Sequence, residues 1–272
     1  MPRLRDLPWR ATRDPWRVLV SEVMLQQTQV QRVVPMYERF VRAWPDPAAC
    51  AKAPLGDLLS AWQGLGYPRR CRNLHEAAKT VVERHGGTVP AVLEELEALP
   101  GVGAYTARAV LAFAHGRDVG PVDVNVSRVL SRWAGEPLGR AVAQSRADAA
   151  VPQGRAWEWN QTLMDLGATV CTARAPRCGE CPVRAHCTWR GGPGEDPAVR
   201  SAGASRTQGR FEGSDRQARG RLLRAVVESP VREKAVAATM GLSDDVPRAA
   251  ALLGALCAEG LVVVHDGWCK LP

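Results

Sequence analysis

Leu99-Pro-Gly-Val-Gly-Ala-Tyr-Thr106 is the stretch on which the fold turns. Helical periodicity flanks it, over about 91–98 before it and 104–115 after it. Glycines at 101 and 103 permit a tight turn and let backbone N–H groups come close to a ligand. The helix that follows adds the positive end of its dipole, so the turn is a natural seat for an anion. In a basic chain the expected anion is a DNA backbone phosphate, held without reading of sequence. Gly-Val-Gly suits an ordinary helix–helix turn just as well, and the choice between the two rests on the rest of the chain.

The chain is basic. Its 272 residues carry a net charge of +8, which points to a polyanionic partner, although a well-solvated basic surface would show the same balance. Nearly all the positive charge is arginine, with lysine only at Lys52, Lys79, Lys234 and Lys270. The length is enough for one large domain or two to three small ones. No apolar run reaches the ~18–20 residues needed to span a bilayer. Met1-Pro-Arg-Leu-Arg-Asp6 has no apolar core like that of a signal peptide, so a cytoplasmic, nucleoid-associated protein without membrane attachment is expected.

Toward the N-terminus, Asp14-Pro15 and Asp46-Pro47 each read as a cap followed by Pro at the first helical position. They predict helices through Met24 and from 47, with others at about 30–44, from Pro54 to Trp62, and through Leu74, Ala77, Ala78 and Val81. Toward the C-terminus, helices are expected at about 123–134, 140–149 and 155–168. No strand pattern interrupts residues 14–190, so this region is read as all-α. From 191 to 213 Gly, Pro, Ser and Arg dominate, the composition of an exposed linker. The tail reads as helices near 215–228, 231–240 and 247–259, then two strand-like runs joined by Asp266-Gly267, a hairpin signal. Three helices and a hairpin suggest a small winged-helix-like module over 214–272.

Two carboxylates stand out. Glu22 interrupts Val18-Leu-Val-Ser-Glu-Val-Met-Leu25, an otherwise apolar helix; a buried carboxyl there would keep its proton more readily and have it to donate. Asp123, in Pro121-Val-Asp-Val-Asn125, precedes a helix that it would cap. Capping and catalysis are compatible, because the cap fixes the carboxylate in place. Breaking an N-glycosidic bond calls for a proton on the departing base and negative charge near the cationic sugar, which one neutral acid and one carboxylate supply.

Cys171, Cys178, Cys181 and Cys187 are spaced C-x6-C-x2-C-x5-C. Four thiolates in one short loop meet the ligand demand of an iron–sulfur cluster. Zinc sites more often pair two short knuckles across a longer gap, so a [4Fe–4S] cluster is the favoured reading over zinc. Disulfides are disfavoured in a reducing compartment. Cys50, Cys71, Cys257 and Cys269 are scattered and read as small core residues.

Taken in order, Ser21-Glu-Val-Met-Leu-Gln-Gln-Thr-Gln29, Gly64-Leu-Gly-Tyr67, Leu99-Pro-Gly-Val-Gly103, Val122-Asp-Val-Asn125 and the four-cysteine loop resemble the helix-hairpin-helix DNA glycosylases that carry a [4Fe–4S] cluster. Within that superfamily, Glu22 with Gln26-Gln27, Leu7-Pro-Trp-Arg10 and Asn160-Gln-Thr-Leu-Met-Asp-Leu-Gly167 resemble the A/G-specific adenine DNA glycosylases, the MutY family. The resemblance covers about residues 5–190. It implies a six-helix domain over about 24–128, a cluster domain from 1–23 and 129–190, and a short form without the Nudix-like C-terminal domain. It further implies a monomer acting on double-stranded DNA with A·8-oxoguanine or A·G mispairs.

By the same resemblance Glu22 would protonate adenine and help activate water, and Asp123 would stabilise the sugar cation, with Asn125 and Tyr105 supporting the site. Gln26, Gln27 and Tyr67 would enter the base stack or contact the opposite purine once adenine is flipped out. Gly101 and Gly103 would hold phosphate, and Trp9 and Arg10 would line the base pocket. Endonuclease III-type enzymes resemble this pattern but carry a Schiff-base lysine after the Gly-Val-Gly turn, where this chain has Tyr105. With no lysine between Lys79 and Lys234, a monofunctional glycosylase is expected. The alternatives are a pyrimidine glycosylase of the endonuclease III type and a non-catalytic iron–sulfur DNA-binding protein.

Overall fold

The computed structural model describes residues 4–201 and 209–272. Its elements run α1 (Pro15–Leu25), α2 (Val30–Ala43), α3 (Pro47–Lys52), α4 (Leu55–Ala61), α5 (Arg69–His85), α6 (Leu93–Glu97) and α7 (Ala104–Phe113). There follow α8 (Val124–Ala134), α9 (Arg140–Ala150), α10 (Ala156–Thr169), α11 (Asp215–Glu228), β1 (Val231–Arg232), α12 (Val236–Met240), α13 (Val246–Ala258), β2 (Val263–His265) and β3 (Trp268–Lys270). The predicted all-α character of residues 14–190 is what the structure has, with the only strands among the described residues confined to the C-terminal module.

Helix starts follow the caps in the sequence. Asp14 accepts from Arg17 N at 2.9 Å, and Asp46 accepts from Ala49 N at 2.7 Å ahead of Pro47. Each satisfies a donor that the first turn leaves without an intrahelical partner. In α2, Val33, Tyr37, Phe40 and Val41 are buried while Arg39 and Arg42 stay exposed, the stripe that a period of 3.6 produces.

The chain forms two compact units. One gathers the described residues of Met1–Leu19, Ala91–Ala98 and Val102–Thr207. Its core is built from α8, α9 and α10, with Val126, Val129, Leu130, Ala143, Leu163 and Leu166 buried together. The other gathers Val20–Pro90, Leu99–Gly101 and the described residues of Gln208–Pro272. Here Phe40 packs against Trp44 and edge-on against Trp62, with ring centroids 4.7 and 5.8 Å away. Fully burying a ring such as Phe40 is worth about 1.5–3 kcal/mol.

In the C-terminal module, Leu222, Met240, Leu256, Leu261 and Cys269 are all fully or almost fully buried. The expected hairpin forms through Asp266 (φ 51°) and Gly267 (φ 73°), the two left-handed residues that a tight hairpin turn needs. One expectation fails. Residues 231–240 are not one helix: Val231–Arg232 is a strand pairing antiparallel with Trp268–Cys269, giving sheet order β1-β3-β2. A two-residue strand is too short to leave a period in the sequence, and only its partner defines it.

The segment expected as an exposed linker, 191–213, lies partly outside the described residues. Its described first part is not simply exposed, since Ala198 and Ser201 are buried. The reason is Asp196, which pairs at 2.6 Å with Arg132, an arginine 1% exposed that needs a counter-charge.

Candidate active site

The Gly-Val-Gly turn forms as read. Gly101 takes φ +77°, and a Cβ there would stand 2.7 Å from the Cβ of Asn73, so only glycine fits without displacement. Gln26 Nε2 reaches the Gly101 carbonyl at 3.5 Å. Gly103 is the extended residue that opens α7. Both glycines are exposed, so an anion has access to the turn and to the first N–H groups of α7.

Glu22 is 5% exposed, on α1 between Ser21 (1%) and Val23 (3%). Just beyond it the chain turns sharply, with Gln27 at φ 56° and exposed. A second strained residue, Tyr67 (φ 49°), follows Gly66. Both turns are organised by Arg70, which sequence reading missed. Its Nη1 donates to the carbonyls of Val23, Met24 and Gln26, and its Nη2 to Thr28 Oγ1 and the carbonyls of Leu65 and Gly66. One planar, five-donor cation thus stitches the end of α1 to the Gly64–Tyr67 loop. Burial lowers the Arg70 pKa to about 10, which leaves it charged at neutral pH.

Asp123 caps α8: its Oδ1 accepts from Asn125 N (2.9 Å) and Val126 N (2.7 Å). Its Oδ2 accepts from Asn125 Nδ2 at 2.8 Å. Asn125 is held in turn by Arg128, whose Nη2 donates to Asn125 Oδ1 and to the Gly167 carbonyl, both at 2.7 Å. Arg128 Nε donates to the Cys171 carbonyl at 2.8 Å. A half-buried carboxylate with this many donors is fixed in place. Tyr105 lies half-buried on α7.

Trp9 is buried in a 3-10 turn, Pro8–Arg10. Arg10 is turned toward Asp165 with two bonds of 2.8 Å, and Arg5 joins the same carboxylate through Nε at 2.7 Å. Asp165 is 2% exposed; burial pushes its pKa up, but the Arg10 and Arg5 hydrogen bonds outweigh that and hold it below the usual carboxylate range. The immediate work of Arg10 is to fasten the turn that carries Trp9.

Cys171, Cys178, Cys181 and Cys187 line one cavity of ≈ 30 Å³. Among the described residues no three His, Cys, Asp or Glu side chains close on a single ion's position. Zinc would need its sulfurs about 2.3 Å from one point. Sulfurs set around a shared space suit a cluster instead. Arg132 supplies positive charge here: its Nη1 reaches Cys171 Sγ at 3.3 Å and its side chain stacks over Trp189 at 4.8 Å. Burial pushes the Cys171 thiol up, and the Arg132 hydrogen bond partly offsets this. The roles of Arg128, Arg132 and Asp165 also escaped sequence reading, because partners that lie far off along the chain, such as Gly167, Asp196 and Arg10, are brought to them only by the fold.

An exposed glycine turn before a helix, a buried acid in an apolar helix, a capped carboxylate and four cysteines around one cavity suit a DNA base-excision protein with an iron–sulfur loop. Family comparison agrees: HhH-GPD superfamily base excision DNA repair protein matches residues 20–147, and the iron–sulfur binding domain of endonuclease III matches 171–187. The chain is 45% identical to the adenine DNA glycosylase of Mycobacterium tuberculosis, over 98% of this chain and 89% of that one. It is 43% identical to the adenine DNA glycosylase of Mycolicibacterium smegmatis, over 95% and 88%. The chain belongs to the adenine DNA glycosylase family.

Among solved structures, a thermostable thymine-DNA glycosylase superposes with TM-score 0.65 at 32% identity, covering 69% of this chain and 89% of that one. A trapped endonuclease III–DNA intermediate shares the fold, with TM-score 0.60 at 24% identity over 66% and 86%. The chain is a DNA glycosylase of base excision repair and carries a [4Fe–4S] cluster, which the four cysteines of the 171–187 loop would hold. No helix among the described residues is long and apolar enough to cross a membrane.

Proposed function

We propose that this enzyme removes adenine mispaired with 8-oxoguanine or guanine, as a monomer acting on double-stranded DNA in the cytoplasm. The observation that carries the reading is Glu22, a carboxyl 5% exposed in an apolar helix, where a binding protein would have no use for the cost of its burial. In its neutral form Glu22 donates a proton to the departing adenine. The C1′–N bond breaks with its electron pair going to the base, and Asp123, ionised and anchored by Asn125, stabilises the cationic sugar. Water then adds to the sugar carbon and yields its proton to Glu22, leaving free adenine and an abasic site.

Tyr105 and Asn125 support this site, Trp9 lines the base pocket on a turn that Arg10 fastens, and Gly101 and Gly103 hold a phosphate. Gln26, Gln27 and Tyr67 fill the stack beside the flipped nucleotide. Residues 24–128 serve as the six-helix domain, 1–23 and 129–190 as the cluster domain, and 214–272 as the winged-helix-like C-terminal module. Cys171, Cys178, Cys181 and Cys187 would hold the cluster, which would serve to cross-link the 171–187 loop, while the proton and charge work falls to Glu22 and Asp123.

An endonuclease III-type lyase reading is disfavoured because lysines occur only at 52, 79, 234 and 270, so neither α7 nor α8 carries an amine for a Schiff base. The test is Glu22→Gln: adenine release from A·8-oxoguanine and A·G duplexes is expected to vanish while duplex affinity stays. Release at the wild-type rate would sink the mechanism. Parallel duplexes with A·C and thymine glycol are expected to be poor substrates, and preferential cleavage at thymine glycol would overturn the substrate.

A further inference from the structure

Residues 118–122 lead into Asp123 as irregular backbone, yet three of them in a row are tied down. The Asp118 carboxylate accepts from Gly154 N at 2.9 Å. The Val119 carbonyl accepts from Asn160 Nδ2 at 2.9 Å, and Asn160, on α10, is 1% exposed. Gly120 is held at both of its polar groups: its N–H donates to Asp148 Oδ1 at 2.8 Å, and its carbonyl accepts from Gln144 Nε2 at 2.7 Å. Gln144 and Asp148 face each other one turn apart on α9 and are joined at 3.0 Å.

The fit leaves little slack. Gly120 lies against α9 so closely that a Cβ there would stand 2.7 Å from the carbonyl carbon of Ala147, a backbone atom that cannot swing aside. Pro121 follows, buried and with its φ fixed by the ring. Val122 then packs on the core built from α8, α9 and α10. The cap bonds of Asp123 fix its carboxylate only relative to α8. Where α8 starts is set by the segment before it, and that segment is referenced to α9 and α10. This matters for a group that works by charge, because a displacement of about 1 Å in a reacting site can cost on the order of a hundredfold in rate.

We propose that Gln144, Asp148 and Asn160 are positioning residues for glycosidic bond cleavage, clamping Val119 and Gly120 so that the Asp123 carboxylate meets the cationic sugar. They act through the backbone just upstream of the carboxylate and not on the DNA. The inference rests on the proposed role of Asp123 as the counter-charge of that sugar.

The test uses the full-length holoenzyme and two duplexes, each with its probe opposite guanine. One probe replaces the target sugar by a cationic pyrrolidine, the other by neutral tetrahydrofuran. The ratio of the two affinities reads how well a carboxylate is placed against the charge of the sugar cation. Wild type should prefer the cationic probe, and Asp123→Asn should lose that preference. Asp148→Ala and Gln144→Ala are each expected to cut the preference on the order of tenfold, with single-turnover adenine release slowed in step and tetrahydrofuran affinity nearly unchanged. Asp148→Asn, whose side-chain oxygen can still accept from Gly120 N, should restore most of it. Asp46→Ala, which removes the cap of α3, should lower Tm and leave the preference intact. The inference is overturned if both alanine variants, folded by far-ultraviolet circular dichroism, keep the wild-type preference. It is equally overturned if they lose affinity for both probes alike, or if Asp46→Ala cuts the preference as much. Equal binding of the two probes by wild type itself would remove the charge role of Asp123, and the function of the clamp with it.

Discussion

At the scale of single residues, this chain spends buried charge on position. Arg70 makes six hydrogen bonds to hold two turns, and Arg128 holds Asn125 against Asp123. Such hydrogen bonds to a charged group are worth about 1.5–3 kcal/mol each, and losing one partner strands the others in the interior. The absence of an amine beside the carboxylate is equally a single-residue matter. Tyr105→Lys is expected to give a new activity: strand nicking without alkali and a borohydride-trapped enzyme–DNA adduct, both absent from the parent. A variant that still releases adenine but yields no adduct would remove Tyr105 from the pocket.

At the scale of elements, the hairpin and the C-terminal helices make separable predictions. Gly101→Ala places a methyl 2.7 Å from Asn73 at φ +77°. Left-handed strain of this kind costs about 1–3 kcal/mol. We expect a lower Tm and weaker binding to duplexes of every sequence, since a phosphate seat reads none; selective loss at mispairs alone would contradict that role.

The clamp at the end of α13 is sensitive to acid. The Arg69 hydrogen bond, helped by Arg219 and opposed by burial, holds the Glu259 carboxyl at about 2, below its ordinary 4.5. Its folded-state pKa is depressed, so the stability it contributes is full above about 4.5 and is lost as pH falls toward about 2. Hydrogen exchange in α11 and α13 should therefore rise over that window in the wild type. In Glu259→Gln the exchange should already be raised at neutral pH, and the step attributable to the clamp should disappear.

At the scale of the whole molecule, the cysteine loop is expected to act as a covalent substitute for core. Cys181→Ser should lower bound iron and visible absorbance, and should raise proteolytic cleavage within 171–190 before it changes the far-ultraviolet helix signal. The core that α8, α9 and α10 build with Leu138 and Val170 is apolar in its own right, so helix content should survive; its collapse on iron loss would show that the cluster is needed for the fold itself.

What the sequence determined by itself was everything carried by local chemistry. Asp-Pro pairs marked helix starts, Gly-Val-Gly marked the hairpin, and the cysteine spacing marked the cluster loop, because caps, left-handed turns and thiolate ligands act over a few residues. Glu22 was legible for the same reason, as a charge in an apolar run. Tertiary structure alone decided the rest. It made Val231–Arg232 a strand, since two residues acquire that identity only from β3. It drew Asp196 onto Arg132 across 64 residues and Asp165 onto Arg10 across 155. Pairings between distant residues are chosen by burial and charge neutralisation in the folded chain, which no local pattern encodes.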